Sequence, residues 1–139
     1  MGRLLGIDFG SKRLGLARSD AKKIIALPYR TLFASKTLEQ TADLLMLELE
    51  DIEGIIMGLP LLLSGKESET SLVVREFSEI LKKKSLLPIT LWDERLSSKQ
   101  VEKLMIEDHV KRKKREKHLD SLSATLILQS YLDHSRACF

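Results

Sequence analysis

The chain has 139 residues, enough for one domain that buries roughly two-thirds of its unfolded surface and too few for two ordinary ones. Hydrophobic residues make up 43% and charged residues 31%, a globular balance, and no apolar run approaches the length of a membrane span. The formal charge of +3 decides little by itself, while the lone Cys138 excludes an internal disulfide framework and points to a reducing, cytoplasmic setting.

Arg3 to Phe9 and Leu14 to Ser19 are short apolar runs separated by Gly10-Ser11-Lys12-Arg13, the spacing of a β-hairpin. A third strand is expected within Ile24 to Phe33, where Pro28 confines it to a sheet edge or makes it irregular. From Thr37 the apolar positions Leu38, Ala42, Leu45 and Leu49 recur at helical spacing, with Ser35 as the expected N-cap. Gly54 to Leu59 is continuously apolar and ends at Pro60, as a strand buried on both faces of a parallel sheet does. Leu61 to Ser68 reads as a loop, about Thr70 to Lys84 as a helix, and Ile89 to Trp92 as another buried strand. A third helix is expected from about Ser97, capped by Ser97-Ser98 and carrying Val101, Leu104 and Met105. The basic run Lys111 to Lys117 is expected to interrupt it, before a fourth helix from about Leu119 to Leu132. This order, a three-strand antiparallel meander followed by alternating helices and strands, predicts an α/β fold. Its mixed five-stranded sheet carries helices on both faces.

Three sets of acids stand at the ends of these elements. Asp8 closes the first strand, Asp93-Glu94 closes the last, and Asp120 opens the last helix. In open α/β sheets ligands bind beyond the carboxyl ends of the strands, so Asp8 and the Asp93-Glu94 pair are expected near one another. Alternation along a strand sends Asp93 and Glu94 to opposite faces, and spacing alone does not choose between them. Asp8 could instead cap the Gly10 turn, Arg95 could neutralise a neighbouring acid, and Asp120 could complement a helix dipole. Against that last reading, Asp120 shares a helical face with Ala124, Ile127, Leu128 and Tyr131, the side that should pack inward. His109, His118 and His134 lack cysteine partners and regular spacing, which argues against zinc, and no nucleophile motif accompanies them. Carboxylates without imidazole or thiolate favour a hard ion, Mg²⁺ or Mn²⁺.

The basic residues are unevenly spread. Lys111, Arg112, Lys113, Lys114, Arg115 and Lys117 form a run of six cations in seven positions, and Lys82-Lys83-Lys84 adds a second cluster. Such asymmetry is the electrostatic footprint of a phosphate-backbone binder. Hard-cation acids beside a basic surface match phosphodiester hydrolysis, in which two metals about 3.5–4 Å apart need no nucleophilic side chain.

Four motifs occur in order along essentially the whole chain: Gly6-Ile7-Asp8-Phe9-Gly10-Ser11-Lys12-Arg13-Leu14-Gly15-Leu16-Ala17, Gly58-Leu59-Pro60-Leu61, Asp93-Glu94-Arg95-Leu96-Ser97-Ser98, and Asp120-Ser121-Leu122-Ser123-Ala124 running into Ile127-Leu128-Gln129-Ser130-Tyr131-Leu132. Together they closely resemble the YqgF family, the RuvX-type Holliday junction resolvases. The resemblance implies an RNase H-like fold and a cytoplasmic nuclease dependent on Mg²⁺ or Mn²⁺. It names Asp8, Asp93, Glu94 and Asp120 as catalytic acids. Asp8 and Asp120 would be metal ligands together with one acid of the Asp93-Glu94 pair, Glu94 being carried in that set. Lys12, Arg13, Arg95 and the Lys111–Lys117 cations would grip nucleic acid. The implied substrate is the 5′ end of precursor 16S rRNA, with pre-ribosomal particles as a partner, while the choice between monomer and homodimer stays open. Alternatives are resolution of DNA four-way junctions and a non-catalytic role in ribosome assembly. Leu62-Leu63-Ser64 departs from the polar, acidic stretch that relatives carry after Gly-Leu-Pro-Leu, but none of the acids is lost.

Overall fold

The computed structural model describes residues 2–96 and 112–137. Five strands, β1 (Arg3–Asp8), β2 (Arg13–Ser19), β3 (Ala26–Phe33), β4 (Ile52–Leu59) and β5 (Ile89–Asp93), join in one sheet of order β3-β2-β1-β4-β5. The first three form the antiparallel meander, and β4 and β5 add in parallel to β1. The expected mixed five-stranded architecture is therefore the one observed. Pro28 has the expected effect: β3 lies at an edge, and the register shifts where Leu16 faces Arg30 but Ala17 faces Pro28.

Helices α1 (Leu38–Met46) and α2 (Glu69–Ser85) cover one face, and α3 (Arg112–Ala137) covers the other. Strand alternation sorts the side chains. Leu5, Ile7, Leu14, Leu16, Met57 and Leu59 point toward α1 and α2, where they meet Ala42, Leu45, Val74, Phe77 and Leu81. Ala17, Ala26 and Ile56 point to α3 and meet Ala124, Ile127, Leu128 and Leu132. Beneath α3, Gly6 carries no side chain for a reason of space, since a Cβ there would lie 2.8 Å from Leu128 Cβ and 3.0 Å from the Ala124 carbonyl.

β5, expected to be a buried strand, lies instead at the other edge of the sheet, its residues only partly buried and Thr90 exposed, because no further strand among the described residues adds beyond it. Three more local expectations are corrected. The N-cap of α1 is Thr37, not Ser35, because the extended Thr37 accepts the Gln40 N–H on its hydroxyl. Ser35 braces the helix start from outside, donating its own N–H to Thr41 Oγ1. α1 also stops at Met46, and Leu49 packs on the core from the following turn. The last helix begins at Arg112, seven residues before the expected Leu119, so the basic run from Arg112 continues the helix. Lys and Arg are good helix formers, which is why charge alone does not break the element. The helix expected from about Ser97, with Val101, Leu104, Met105 and its Ser97-Ser98 cap, lies outside the described residues, as does Lys111. Among the described residues no helix is long and apolar enough to cross a membrane.

Candidate metal and nucleic-acid site

β1 delivers Asp8 to its carboxyl end on the face that α3 covers. Ile7 points into the opposite core, so its neighbours Gly6 and Asp8 turn toward α3. Phe9, the next residue, stacks on the buried Phe77 of α2 with ring centroids 4.9 Å apart, which pins the strand end.

At the end of β5 the chain turns into a short 3₁₀ segment, Glu94–Leu96, and this turn separates the two neighbouring acids. Asp93 accepts the Arg95 backbone N–H at 3.0 Å, and its carboxylate takes Arg95 Nε at 2.9 Å and Nη2 at 2.6 Å. The Arg95 guanidinium holds the Asp93 carboxyl below its ordinary range despite partial burial. Glu94 turns the other way and meets the Asp8 carboxyl within hydrogen-bond reach. Burial pushes the Glu94 carboxyl up, the contact with Asp8 pulls it down, and the negative Asp93 pushes it up again, for a net rise. The choice that strand spacing left open is thereby made by the backbone turn.

Gly58 supplies the floor. A Cβ at this β4 position would come within 2.6 Å of Glu94 Oε1 and 2.6 Å of Ile127 Cδ1, so the bare backbone leaves the space that the Glu94 carboxyl and α3 share. The Gly-Leu-Pro-Leu motif does not by itself show this role. A glycine inside an otherwise apolar buried strand was the available signal.

Asp120 lies in α3 on the same helical stripe as Ala124 and Ile127, four and seven residues ahead of them. Ala124 lies over Gly6 and Ile127 over Gly58, so the backbone carries position 120 one turn further toward the end of β1 that bears Asp8. It is the ninth residue of the helix, too far from the N-terminus for the first-turn dipole role. The side chains of Asp120 and of the basic residues Arg112 to Lys117 are outside the described set. Among the described residues, no three His, Cys, Asp or Glu side chains gather as a metal cluster.

Lys12 and Arg13 are exposed at the β1–β2 turn, beside Asp8. Arg95, expected among the nucleic-acid contacts, is exposed and holds Asp93 in this structure. Besides holding Asp93, its Nη1 donates to the Leu63 carbonyl at 3.2 Å and so ties down the loop after β4. Leu63 is 95% exposed there. A cavity of about 540 Å³ lined by Arg3, Arg18, Tyr29 and Asp51 lies at the other end of the strands, away from the acids.

The family model described as RuvX, Holliday junction resolvase, matches residues 2–134. The chain belongs to the RuvX family. A relative from Protochlamydia amoebophila named "Putative pre-16S rRNA nuclease" is 45% identical over 139 residues, covering 94% of this chain and 93% of the relative. A relative of the same name from Koribacter versatilis is 41% identical, covering 95% and 87%. Among solved structures, T. thermophilus RuvC in complex with a Holliday junction substrate superposes with a TM-score of 0.61 at 13% identity, covering 99% of this chain and 96% of that one. At that identity the likeness speaks for the fold, which is the RNase H-like one expected of a RuvX chain.

Proposed function

We propose that the chain is a divalent-metal-dependent endonuclease that hydrolyses phosphodiester bonds in structured nucleic acid, with the 5′ end of precursor 16S rRNA as its substrate. The observation that carries this is the meeting of Asp8 and Glu94, brought by separate strands to one face. Two carboxyls that meet this way, one of them partly buried, are stable only with a shared proton or a cation between them. Their oxygen-only chemistry fits Mg²⁺ or Mn²⁺, and Asp8, Glu94 and Asp120 would hold the ion. Bound there, the metal would lower the pKa of the attacking water and stabilise the departing oxygen. The chain's own residues do the rest. Asp93 acts through Arg95, and Arg95 in turn sets the loop beside the site. Lys12, Arg13 and the cations from Lys111 to Lys117 neutralise backbone phosphates and hold the strand in register.

The rRNA assignment is supported by the shared name of the relatives above 40% identity. With it we propose a cytoplasmic protein that meets pre-ribosomal particles, as a monomer or homodimer. A second reading, cleavage of DNA four-way junctions, is supported by the family description and is tested in the same assay. Purified wild type is offered a precursor rRNA fragment and a four-way junction with Mg²⁺ or Mn²⁺, beside Asp8→Asn. The expected result is metal-dependent cleavage of the RNA that Asp8→Asn reduces by about 10³-fold or more while binding persists. Equal cleavage by mutant and wild type would refute the metal role. Cleavage of the junction alone would exchange the substrate, and binding in chelator without cleavage of either would leave a non-catalytic assembly factor.

A further inference from the structure

We propose that Phe33 is a stacking platform for an unpaired nucleobase of the substrate strand, so that the enzyme selects nucleic acid with single-stranded nucleotides beside the cleavage point. This rests on the nuclease reading, but its test does not.

Phe33 is the last residue of β3 and is 74% exposed. It belongs to neither core cluster. A single exposed apolar side chain is ordinary. Three placements separate this one from the exposed Leu27 at the other end of the same strand. First, it faces the acids. Asp8 pairs with Gly15 and Gly15 with Thr31, so these three positions form a row across the sheet, and Phe33 lies two residues beyond Thr31 on the same face. Strand spacings put the Phe33 Cα about 12 Å from that of Asp8, a reach of a few nucleotides. Thr31 confirms the face, since its hydroxyl meets Ser121 of α3 at 3.1 Å.

Second, Phe33 is the cross-strand partner of Arg13, and the Lys12 carbonyl accepts the Ala34 N–H at 2.9 Å. The backbone therefore holds Phe33 beside two exposed cations of the β1–β2 turn. Aromatic faces flanked by basic side chains are the arrangement by which proteins hold unpaired strands, the cations tracking phosphates and the ring taking a base. Third, β3 is an edge strand, so among the described residues no further strand extends the sheet beside the ring. From its contact with Thr31, α3 continues back to Arg112, which carries the basic run past the same end of the sheet.

The test measures binding in chelator by fluorescence anisotropy, so it stands whether or not the protein cleaves. Wild type, Phe33→Ala and Phe33→Trp are titrated with a blunt duplex and with duplexes bearing a single-stranded tail, each as RNA and as DNA. A 2-aminopurine placed along the tail reports stacking directly. The expected result is that Phe33→Ala weakens binding of the tailed substrates about tenfold and leaves the blunt duplex within twofold. Phe33→Trp should restore the tailed affinity, and the 2-aminopurine signal should change on wild type and Phe33→Trp but not on Phe33→Ala. A deficit on the RNA tails alone would assign the platform to RNA, one on both to either strand. Equal affinities of wild type and Phe33→Ala for tails would overturn the proposal, and so would an equal loss on blunt and tailed substrates or a wild type that binds neither. An unchanged melting curve for Phe33→Ala separates a binding defect from a folding one.

Discussion

Replacing Gly58 with alanine should damage function more than stability, and the structure supplies the reason. The new Cβ would lie 2.6 Å from Glu94 Oε1, 2.9 Å from Glu94 Cγ and 2.6 Å from Ile127 Cδ1, all inside the closest approach that real Cβ atoms make. Either the carboxyl moves or α3 lifts. Overpacking of this kind costs about 1–3 kcal/mol, and removing a strand glycine returns about 0.5–1 kcal/mol. The net loss should be about 1–2 kcal/mol, which a stable domain tolerates. The catalytic effect should be larger, because a misplacement of about 1 Å costs on the order of 10²-fold. Gly54 on the same strand is the control. A Cβ there meets the Leu4 Cδ2 tip at 3.1 Å and Pro88 Cγ at 3.7 Å, neighbours that can give way, so Gly54→Ala should stay within about 0.5 kcal/mol of wild type and keep its activity. Denaturant unfolding and single-turnover cleavage in Mg²⁺ read the two quantities separately. Wild-type cleavage by Gly58→Ala would show that Glu94 does not depend on the bare floor, or does not belong to the site.

The metal-free protein should also carry a pH signature. The Glu94 carboxyl is raised in the fold above its ordinary value of 4.5, so its contribution to stability is full below that value and is lost as pH rises through the folded pKa. Glu94→Gln removes the titrating group and should therefore gain on wild type across that window, reaching about 1 kcal/mol of extra stability at neutral pH in chelator. Thermal melts from pH 4 to 8 check this, and parallel curves would refute it. Asp93 and Asp20 are lowered, by Arg95 and by the Ile25 and Ile24 amides respectively. Their contributions persist above the ordinary aspartate value and fade only as pH falls through the lower folded values. Charge at the basic run should behave differently from the ring at Phe33. Lys113→Ala with Lys114→Ala should weaken blunt and tailed substrates alike and reduce the slope of log K against log salt by about 1.4–1.8, as the loss of two phosphate contacts requires. An unchanged slope would remove the run from the interface.

Periodicity exposed the sheet because each strand answers to one physical demand. Leu5 and Ile7 must enter a core, Pro28 cannot donate to a central ladder, and the unbroken apolar run before Pro60 must be covered on both faces. Asp8 and Asp93-Glu94 were legible as strand-end acids for the same reason. The choice between Asp93 and Glu94 was not, because it is made by a 3₁₀ turn that Arg95 and Asp93 close through their own hydrogen bonds, and strand alternation stops applying there. Ser35 was mistaken for a cap because Ser35 and Thr37 both have capping hydroxyls two residues apart, and only backbone conformation separates them. The start of α3 was misplaced because a run of like charges reads as a break, although lysine and arginine lose little in a helix.

The two faces of the sheet divide the demands of stability and chemistry. Toward α1 and α2 the central strands present Leu5, Ile7, Leu14, Leu16, Met57 and Leu59, a continuous apolar slab anchored by Phe77. Near the carboxyl end of β1 the other face presents Gly6, Gly15 and Gly58 instead, the second of these directly opposite Asp8. Side chains missing from that strip contribute no burial, and what they leave is room: α3 comes down onto Gly6, and the Glu94 carboxyl lies over Gly58. Like-charged acids held together raise the energy of the metal-free fold, and under the proposed function a cation that binds only the folded chain would lower it. The apolar slab offsets the first effect, and the glycine strip makes the second possible. Filling the strip should therefore cost more function than stability, whereas thinning the slab, for example at Leu16, should do the reverse.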